Sequence, residues 1–386
     1  MTQTMSCRGP DASGTWLDHR AALGHRRLAV IDLPGGAQPM TGPTPDGDVT
    51  MVYSGEAYDF TDLREELRAA GHRFDTDSDT EVVLHGYLER GDALVDRLNG
   101  MYASAIWDAR TERLVMIRDR MGVEPSYYHP TDDGVVFGSE PKAILANPLV
   151  PPVVGAYGLR ELFSFLKSPG VAVWEGMAEA RPGEIITLDR KGLHRRTYWR
   201  LRPEPHTDRT EQTVAQVREL LDDIVKRQLV ADVPRCTLLS GGPDSSALTA
   251  LAALHLAPAG GEGPQLRRGL LRPGEALPGD GRLADPGHPL CARRRGAPGQ
   301  RAPGHRPGRR RALCARRAAG RSRRPGPPVG IGDRDNSLYL LFSAVRRHST
   351  VALSGESADE VFGGYPWFHD ERREADTFPW TAGDPR

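Results

Sequence analysis

Four cysteines in 386 residues are too few for a disulfide scaffold, and Cys7, Cys236, Cys291 and Cys314 lie too far apart for the paired spacing of a zinc site. No metal site is read from them. Nor is there an uninterrupted apolar run near the roughly 18–20 residues that a bilayer requires. With 38% hydrophobic residues and a mean hydropathy of −0.49, a membrane-spanning protein is excluded. Residues 1–10 lack a basic stretch followed by an apolar one, so no secretory leader is read and the expected compartment is the cytosol, where thiols stay reduced. What the chain does have is length, enough for two or three domains with real cores.

The formal net charge of zero is the sum of two unlike regions. Residues 257–328 hold 17 Arg, no Lys and four acidic residues, about +13 against about −13 for the rest. Arg, Gly, Pro and Ala fill 54 of those 72 positions, and Ile, Val, Phe, Tyr, Trp, Met, Asn and Thr are missing. Such a segment cannot bury a core. It reads as an arginine-rich arm binding nucleic acid through phosphates, as a linker, or as GC-rich DNA translated out of frame. Arg, Gly, Pro and Ala have GC-dominated codons while the missing Ile, Phe, Tyr, Met, Asn and Lys need AT-rich ones, and an evolved arm would mix Lys with Arg, so composition favours the third reading.

Elsewhere the chain is ordinary globular sequence. Short apolar runs at 49–53, 103–107 and 114–117, each followed by turn residues, predict strands of a mixed sheet. Two helices are predicted among them, one capped by Thr61 over 62–70, the other opened by Asp79 over 80–89. Residues 184–188 and 195–199 predict a hairpin. The Pro-rich polar stretch 201–208 marks a boundary between domains at 1–200 and 208–386.

Beyond that boundary the period becomes helical. Asp208 and Glu211 have capping-box spacing, and Val214, Val217, Leu220, Leu221, Ile224, Val225 and Leu229 share one helix face. An apolar strand at 236–239 runs into Ser240-Gly241-Gly242-Pro243-Asp244-Ser245-Ser246, then a helix over 247–254. An anion site needs this order, because glycine lets backbone approach a phosphate and the first helical N–H groups point at it. Alone, the turn reads equally as structural. A second example follows: a strand at 350–353, then Ser354-Gly355-Glu356-Ser357-Ala358-Asp359-Glu360, then a helix over 361–365. If the two strands are parallel neighbours, both turns meet at the carboxyl edge of one sheet, where open α/β folds bind ligands. Glu356, Asp359 and Glu360 could then hold Mg²⁺. The alternative for Asp359 and Glu360 is an acidic first helical turn matched to the helix dipole.

The ordered series Arg8-Gly9-Pro10-Asp11, Gly24-His25-Arg26-Arg27-Leu28-Ala29-Val30-Ile31-Asp32, Gly36-Ala37-Gln38-Pro39-Met40, Tyr53-Ser54-Gly55-Glu56, Ser78-Asp79-Thr80-Glu81 and Arg118-Asp119-Arg120-Met121-Gly122 resembles the glutaminase half of glutamine-dependent asparagine synthetases. Residues 240–246 resemble the pyrophosphate loop of the ATP-pyrophosphatases, and 335–342 with 354–365 resemble the synthetase segment that follows. Only 257–328 falls outside the resemblance. The two Ser-Gly turns lie about as far apart as in the family, so that segment stands in place of family sequence, which again favours the out-of-frame reading.

The resemblance implies an α/β protein: an N-terminal nucleophile hydrolase-type αββα glutaminase domain, then an ATP-pyrophosphatase (adenine nucleotide α hydrolase-like) α/β domain, both incomplete. It implies the asparagine synthase reaction, in which glutamine releases ammonia, aspartate is adenylated with ATP and Mg²⁺, and ammonia displaces AMP. A carboxylate acylates poorly until AMP is its leaving group, and ammonia must be shielded from water on its way. The implied partners are glutamine, aspartate, ATP and a second copy of the chain, with neither membrane nor nucleic acid among them.

By the same resemblance, Arg27 grips the glutamine carboxylate, bidentately if its fork is well placed. Gly55, Glu56 and Asp79 complete the glutamine site, the acids pairing with its ammonium, with backbone contributions from Leu28, Ala29, Val30 and Ile31. Leu239 is implied beside adenine, Ser240, Gly241, Gly242, Asp244, Ser245 and Ser246 on pyrophosphate, and Ser354 and Gly355 as a second ATP contact. Glu356 is implied in forming aspartyl-AMP.

The departures bear on activity. The family's nucleophile is an N-terminal cysteine more than a strand ahead of Arg-Gly-Pro-Asp, whereas seven residues precede Arg8. Cys7 falls where the family has a histidine and is not expected to replace it. Ser54 falls where the family stabilises the oxyanion with an asparagine, a donor worth about 2.7–4 kcal/mol elsewhere. Pro243 lacks an N–H in the phosphate loop, and the chain stops before the family's catalytic lysine. Little activity is therefore expected of either half. Two further readings stand beside this one: a β-lactam synthetase-like enzyme adenylating another carboxylate, disfavoured because Arg27, Glu56 and Asp79 are retained, and a non-enzymatic regulatory or nucleic-acid-binding protein using the arginine run.

Overall fold

The computed structural model describes residues 1–163, 168–257 and 334–369. The readings of 257–328, and Cys291 and Cys314 with them, lie outside the described residues apart from Ala257. Two compact units emerge among the described residues, the first comprising 1–209 with 230–232 and 334–336, the second 210–229, 233–257 and 337–369. No helix among the described residues is long and apolar enough to cross a membrane.

Unit 1 is built on strands in which alternate residues face opposite layers. Strands β1 (Ala12–Leu17) and β2 (Ala22–Arg27) form an antiparallel pair. Strands β3 (Met40–Gly42), β4 (Val49–Ala57), β5 (Gly100–Asp108) and β6 (Arg113–Arg118) belong to a six-stranded sheet. In that sheet Val49, Met51, Tyr53, Tyr102, Ile106, Val115 and Ile117 point into one core, shared with helices α1 (Phe60–Ala69) and α2 (Asp79–Arg90). Their neighbours Val52, Ala105, Trp107, Leu114 and Met116 point into a second core. The period of two thus serves two apolar layers at once, which a strand buried on both faces requires.

The second core is closed by β1–β2 and by a three-stranded sheet of β7 (Tyr127–Thr131), β8 (Gly134–Gly138) and β9 (Ala178–Glu179). Helix α3 (Pro141–Leu145) lies outside β7 and β8, burying Ile144 against Val136, Val150 and Met177. The order of layers is therefore helix, sheet, sheet, helix. A further helix, α4 (Ala156–Phe163), follows. Strands β10 (Glu184–Asp189) and β11 (Gly192–Thr197) are the expected hairpin, and β10 pairs with β6 to complete the large sheet.

Unit 2 contains helix α5 (Thr210–Gln228), strand β12 (Arg235–Thr237), helix α6 (Pro243–His255), all but the first turn of helix α7 (Arg334–Val345), strand β13 (Val351–Leu353) and helix α8 (Ala358–Phe362). Its small core joins Val225 and Leu229 of α5 to Ala252 of α6 and Leu353 of β13. Strands β12 and β13 pair in parallel, Cys236 opposite Ala352 and Thr237 opposite Leu353.

Several boundaries differ from the sequence reading: β11 spans Gly192–Thr197 rather than 195–199, β12 ends at Thr237 rather than 239, and α6 opens at Pro243 rather than 247. The cap of α1 is Asp59, not Thr61. Ser78, not Asp79, caps α2, its hydroxyl accepting from the Glu81 N–H at 3.3 Å, so Asp79 is already helical. Helix α8 opens at Ala358 rather than 361, because Ser357 turns the chain at φ 73°. That places Asp359 and Glu360 in its first turn.

Candidate functional site

In unit 1 a cleft of about 750 Å³ opens between the layers. Of the residues singled out for glutamine, Arg27, Leu28, Val30, Ile31, Ser54, Gly55, Glu56 and Asp79 line it, and Ala29 does not. The Ala29 N–H instead donates to Asp11 Oδ2 at 2.9 Å.

Arg27 is the hub of the loop after β2. Its Nη1 donates to the Leu33 carbonyl at 2.7 Å, and Nη2 donates to the Ile31 and Asp32 carbonyls at 3.0 and 2.7 Å. A Cβ at Gly36 would strike the guanidinium, so a larger residue there would push Arg27 out of this position. With three of its five donors spent, Arg27 offers an anionic ligand its charge and single N–H groups. The intact two-pronged fork expected from the sequence is absent.

Asp79 is buried at the start of α2, where its Oδ2 accepts the Ala57 N–H at 3.0 Å. Burial raises its pKa to about 6, outweighing that hydrogen bond, those from Thr80 and the nearby Arg27 charge. The side chain of Glu56, on β4, has no hydrogen bond or ion pair among the described residues. Its pKa is pushed up to about 7, first by burial, then by repulsion from Asp79 and Glu124. Gly55, next to Glu56 on β4, has φ 135°, and a Cβ there would collide with the Met101 carbonyl. Two neighbouring acids that burial discourages from ionising are a receptacle for a cation.

Ser54 does not point a free hydroxyl into the cleft. It donates to Glu124 Oε2 at 3.0 Å, and Arg8 Nη2 donates to the same oxygen at 2.8 Å. Glu124 was not singled out from the sequence. It is held by Asp119, whose buried carboxylate accepts N–H groups from Met121, Val123, Glu124 and Tyr102. The motif 118–122 pointed to this loop but not to the residue at its end. Cys7 is exposed and is not among the residues lining the cleft.

In unit 2 the parallel pairing of β12 and β13 brings both Ser-Gly turns to one sheet edge. A Cβ on Gly355 would lie 3.1 Å from the Asp244 Cβ and the Ser245 N, so the second turn touches the start of α6. Gly241 bends the first turn at φ 96°. The Ser245 hydroxyl, buried, lies 2.9 Å from that of Ser240 and accepts the Ser240 N–H at 3.2 Å, while Gly242 caps α6. Pro243, the first residue of α6, suits a helix start, where its N–H would be unpaired, but removes a donor from an anion site. Leu239, Ser240, Ser354 and Glu356 are exposed, and Ser246 is half-buried. The Glu356 N–H donates to the Ser354 hydroxyl at 3.1 Å, tightening the second turn.

The layered fold and cleft of unit 1 define the class. The chain matches the glutamine amidotransferase domain family over residues 1–199 and asparagine synthase over 216–267 and 328–385. The second match steps over most of the arginine-rich segment. The chain is 39% identical over 398 residues to asparagine synthetase [glutamine-hydrolyzing] 3 of Bacillus subtilis (strain 168), covering 98% of this chain and 62% of that protein. It is 33% identical over 256 residues to asparagine synthetase [glutamine-hydrolyzing] 1 of the same organism, covering 65% of this chain and 40% of that protein. A solved glutamine phosphoribosylpyrophosphate amidotransferase of B. subtilis aligns with 61% of this chain and 49% of its own length at 21% identity and TM-score 0.35. The chain belongs to the glutamine-hydrolysing asparagine synthetase family. It spans less than two thirds of the length of these curated relatives.

Proposed function

We propose that the chain carries the two recognition sites of an ATP-dependent asparagine synthase, with glutamine in the cleft of unit 1 and ATP and aspartate at the turns of unit 2. The observation that carries this reading is the pair Glu56 and Asp79, raised to about 7 and about 6 by burial and facing a cleft that also holds Arg27. A free amino acid fits that charge pattern. Its ammonium gives the acids the counter-charge that burial denies them, and its carboxylate faces the Arg27 charge. Leu28, Val30, Ile31 and Gly55 shape the walls.

In unit 2 the amides and hydroxyls of 240–246 suit the pyrophosphate of ATP, with Leu239 beside the base and Ser354 and Gly355 closing the other side. Glu356 stands at the end of β13, where the aspartate carboxylate would attack the α-phosphate, releasing pyrophosphate and leaving aspartyl-AMP. Ammonia then attacks the acyl carbon and AMP leaves. No three His, Cys, Asp or Glu side chains cluster as a metal site among the described residues. Mg²⁺ would arrive on the nucleotide phosphates and need only one or two protein carboxylates, the role proposed for Glu356 and Asp359. A homodimer rests on the family resemblance, and a cytosolic location on the leader-free reading of residues 1–10.

Calorimetric titration with glutamine tests the first site. Binding should weaken as pH falls from 8 to 6, because the acids must be ionised to meet the ammonium, and Asp79→Asn should abolish it. Binding that survives this substitution would overturn the assignment. Aspartate-dependent exchange of pyrophosphate into ATP tests the second. It should be weak for want of an N–H at Pro243 and lost in Glu356→Ala.

A further inference from the structure

We propose that Glu124 determines the specificity of the cleft, accepting a hydrogen bond from the side-chain amide of the bound amino acid and so selecting glutamine over glutamate. This rests on the reading that the cleft binds glutamine. Three observations carry it. First, Glu124 lines the cleft, and both of its side-chain contacts, from Ser54 and Arg8, end on Oε2. Its Oε1 has no partner among the described residues. Second, its backbone is fixed from both sides, the N–H donating to Asp119 Oδ2 at 3.0 Å and the carbonyl accepting from Arg118 Nε at 2.8 Å. The carboxylate is thus preorganised rather than trailing in solvent. Third, Ser54 and Glu56 lie two residues apart on β4, whose pairing with β5 stays regular from Val49 to Ala57. They share one face, about 6.6 Å apart along the strand.

That spacing matches the ligand. An extended glutamine spans about 6 Å from its α-nitrogen to its amide nitrogen, five bonds of ordinary length. With its ammonium at Glu56 and Asp79, its amide therefore reaches Ser54 and the Glu124 carboxylate that Ser54 holds. An ionised carboxylate only accepts hydrogen bonds. The glutamine –NH2 donates to it, whereas the carboxylate of glutamate has no proton to give and meets a like charge. Arg8 does not reverse this preference, because its charge is shared between Glu124 at 2.8 Å and Glu140 at 3.9 Å.

The test measures dissociation constants at pH 8 for glutamine, glutamate and the N,N-dimethylamide of glutamine, whose amide carries no N–H. The unaltered chain should bind glutamine about tenfold or more tightly than either analogue, the order of cost of leaving a half-buried charged acceptor unmatched. In Glu124→Gln the side-chain amide can donate, so glutamate should gain about fivefold or more on glutamine. Equal affinity for glutamine and its dimethylamide would overturn the proposal, as would an unchanged glutamine-to-glutamate ratio in Glu124→Gln. The dimethylamide comparison decides the matter even if the variant does not fold. Failure of the underlying reading looks different: the unaltered chain would bind none of the three, or Asp79→Asn would leave their binding intact.

Discussion

The two candidate sites hold their shape by different means. In unit 1, buried side chains pin the backbone that carries the site: Asp119 gathers four N–H groups to seat Glu124, Arg27 spans three carbonyls, and Asp79 ties α2 to β4. In unit 2 the shape comes from backbone, with two glycine turns and the start of a helix on neighbouring parallel strands, and most side chains there are exposed. A site made of side-chain networks specifies individual residues. One made of backbone tolerates changes of side chain but not of close approach.

Two glycines give this contrast its sharpest test. Gly55→Ala forces a side chain onto the Met101 carbonyl at a positive φ, and should cost unit 1 about 3–5 kcal/mol, read by chemical denaturation. Gly355→Ala meets its neighbours at 3.1 Å without a positive φ. It should cost unit 2 about 1 kcal/mol or less, yet weaken ATP binding severely by pushing the turns apart. Equal losses of stability would break the distinction.

Asp119→Asn comes next. It leaves two of four buried N–H groups facing an amide in place of a carboxylate oxygen, and should cost about 2–3 kcal/mol, with loss of the glutamine preference assigned to Glu124. Glu56→Gln should act in the opposite direction on stability. The folded chain holds the Glu56 proton up to about pH 7, whereas the unfolded chain releases it near 4.3. Stability is therefore lost as pH rises through that window, and the variant, freed of the loss, should be about 1–2 kcal/mol more stable at pH 8 while losing the ligand. Stability that rises with pH in the unaltered chain and falls in the variant would contradict the burial argument. The smallest effect is expected from Ser245→Ala, which removes one hydroxyl from the turn at about 0.5–1.5 kcal/mol, leaving unit 1 untouched.

The central strands of unit 1 were readable because β4, β5 and β6 are apolar on both faces, and the two sheet-edge turns were readable from strand, glycine and helix in sequence. Strands β1, β2 and β7 to β9 carried no such mark. They are short and half-exposed, and β2 includes Gly24, His25 and Arg26, so neither alternation nor a buried run announces them. Most residues singled out for glutamine reached the cleft, because a motif names residues whose side chains do the work. Arg27 differed in kind: the acceptors that occupy its fork are carbonyls of its own loop, which no residue type reveals. Glu124 was missed for a related reason. Its position depends on one carboxylate capturing four amides, a conformation that leaves no periodicity behind.

Strand β4 has one more consequence. Met51 and Tyr53 face the helical core while Ser54 and Glu56 face the cleft, so a slip of one residue in its pairing with β5 would bury the polar pair and leave no receptor at all. Only correctly registered chains can hold the ligand. At a hundred times its dissociation constant, such a ligand would favour them over every misaligned form by about 2.7 kcal/mol, so that ligand supply would itself select the correctly registered fold.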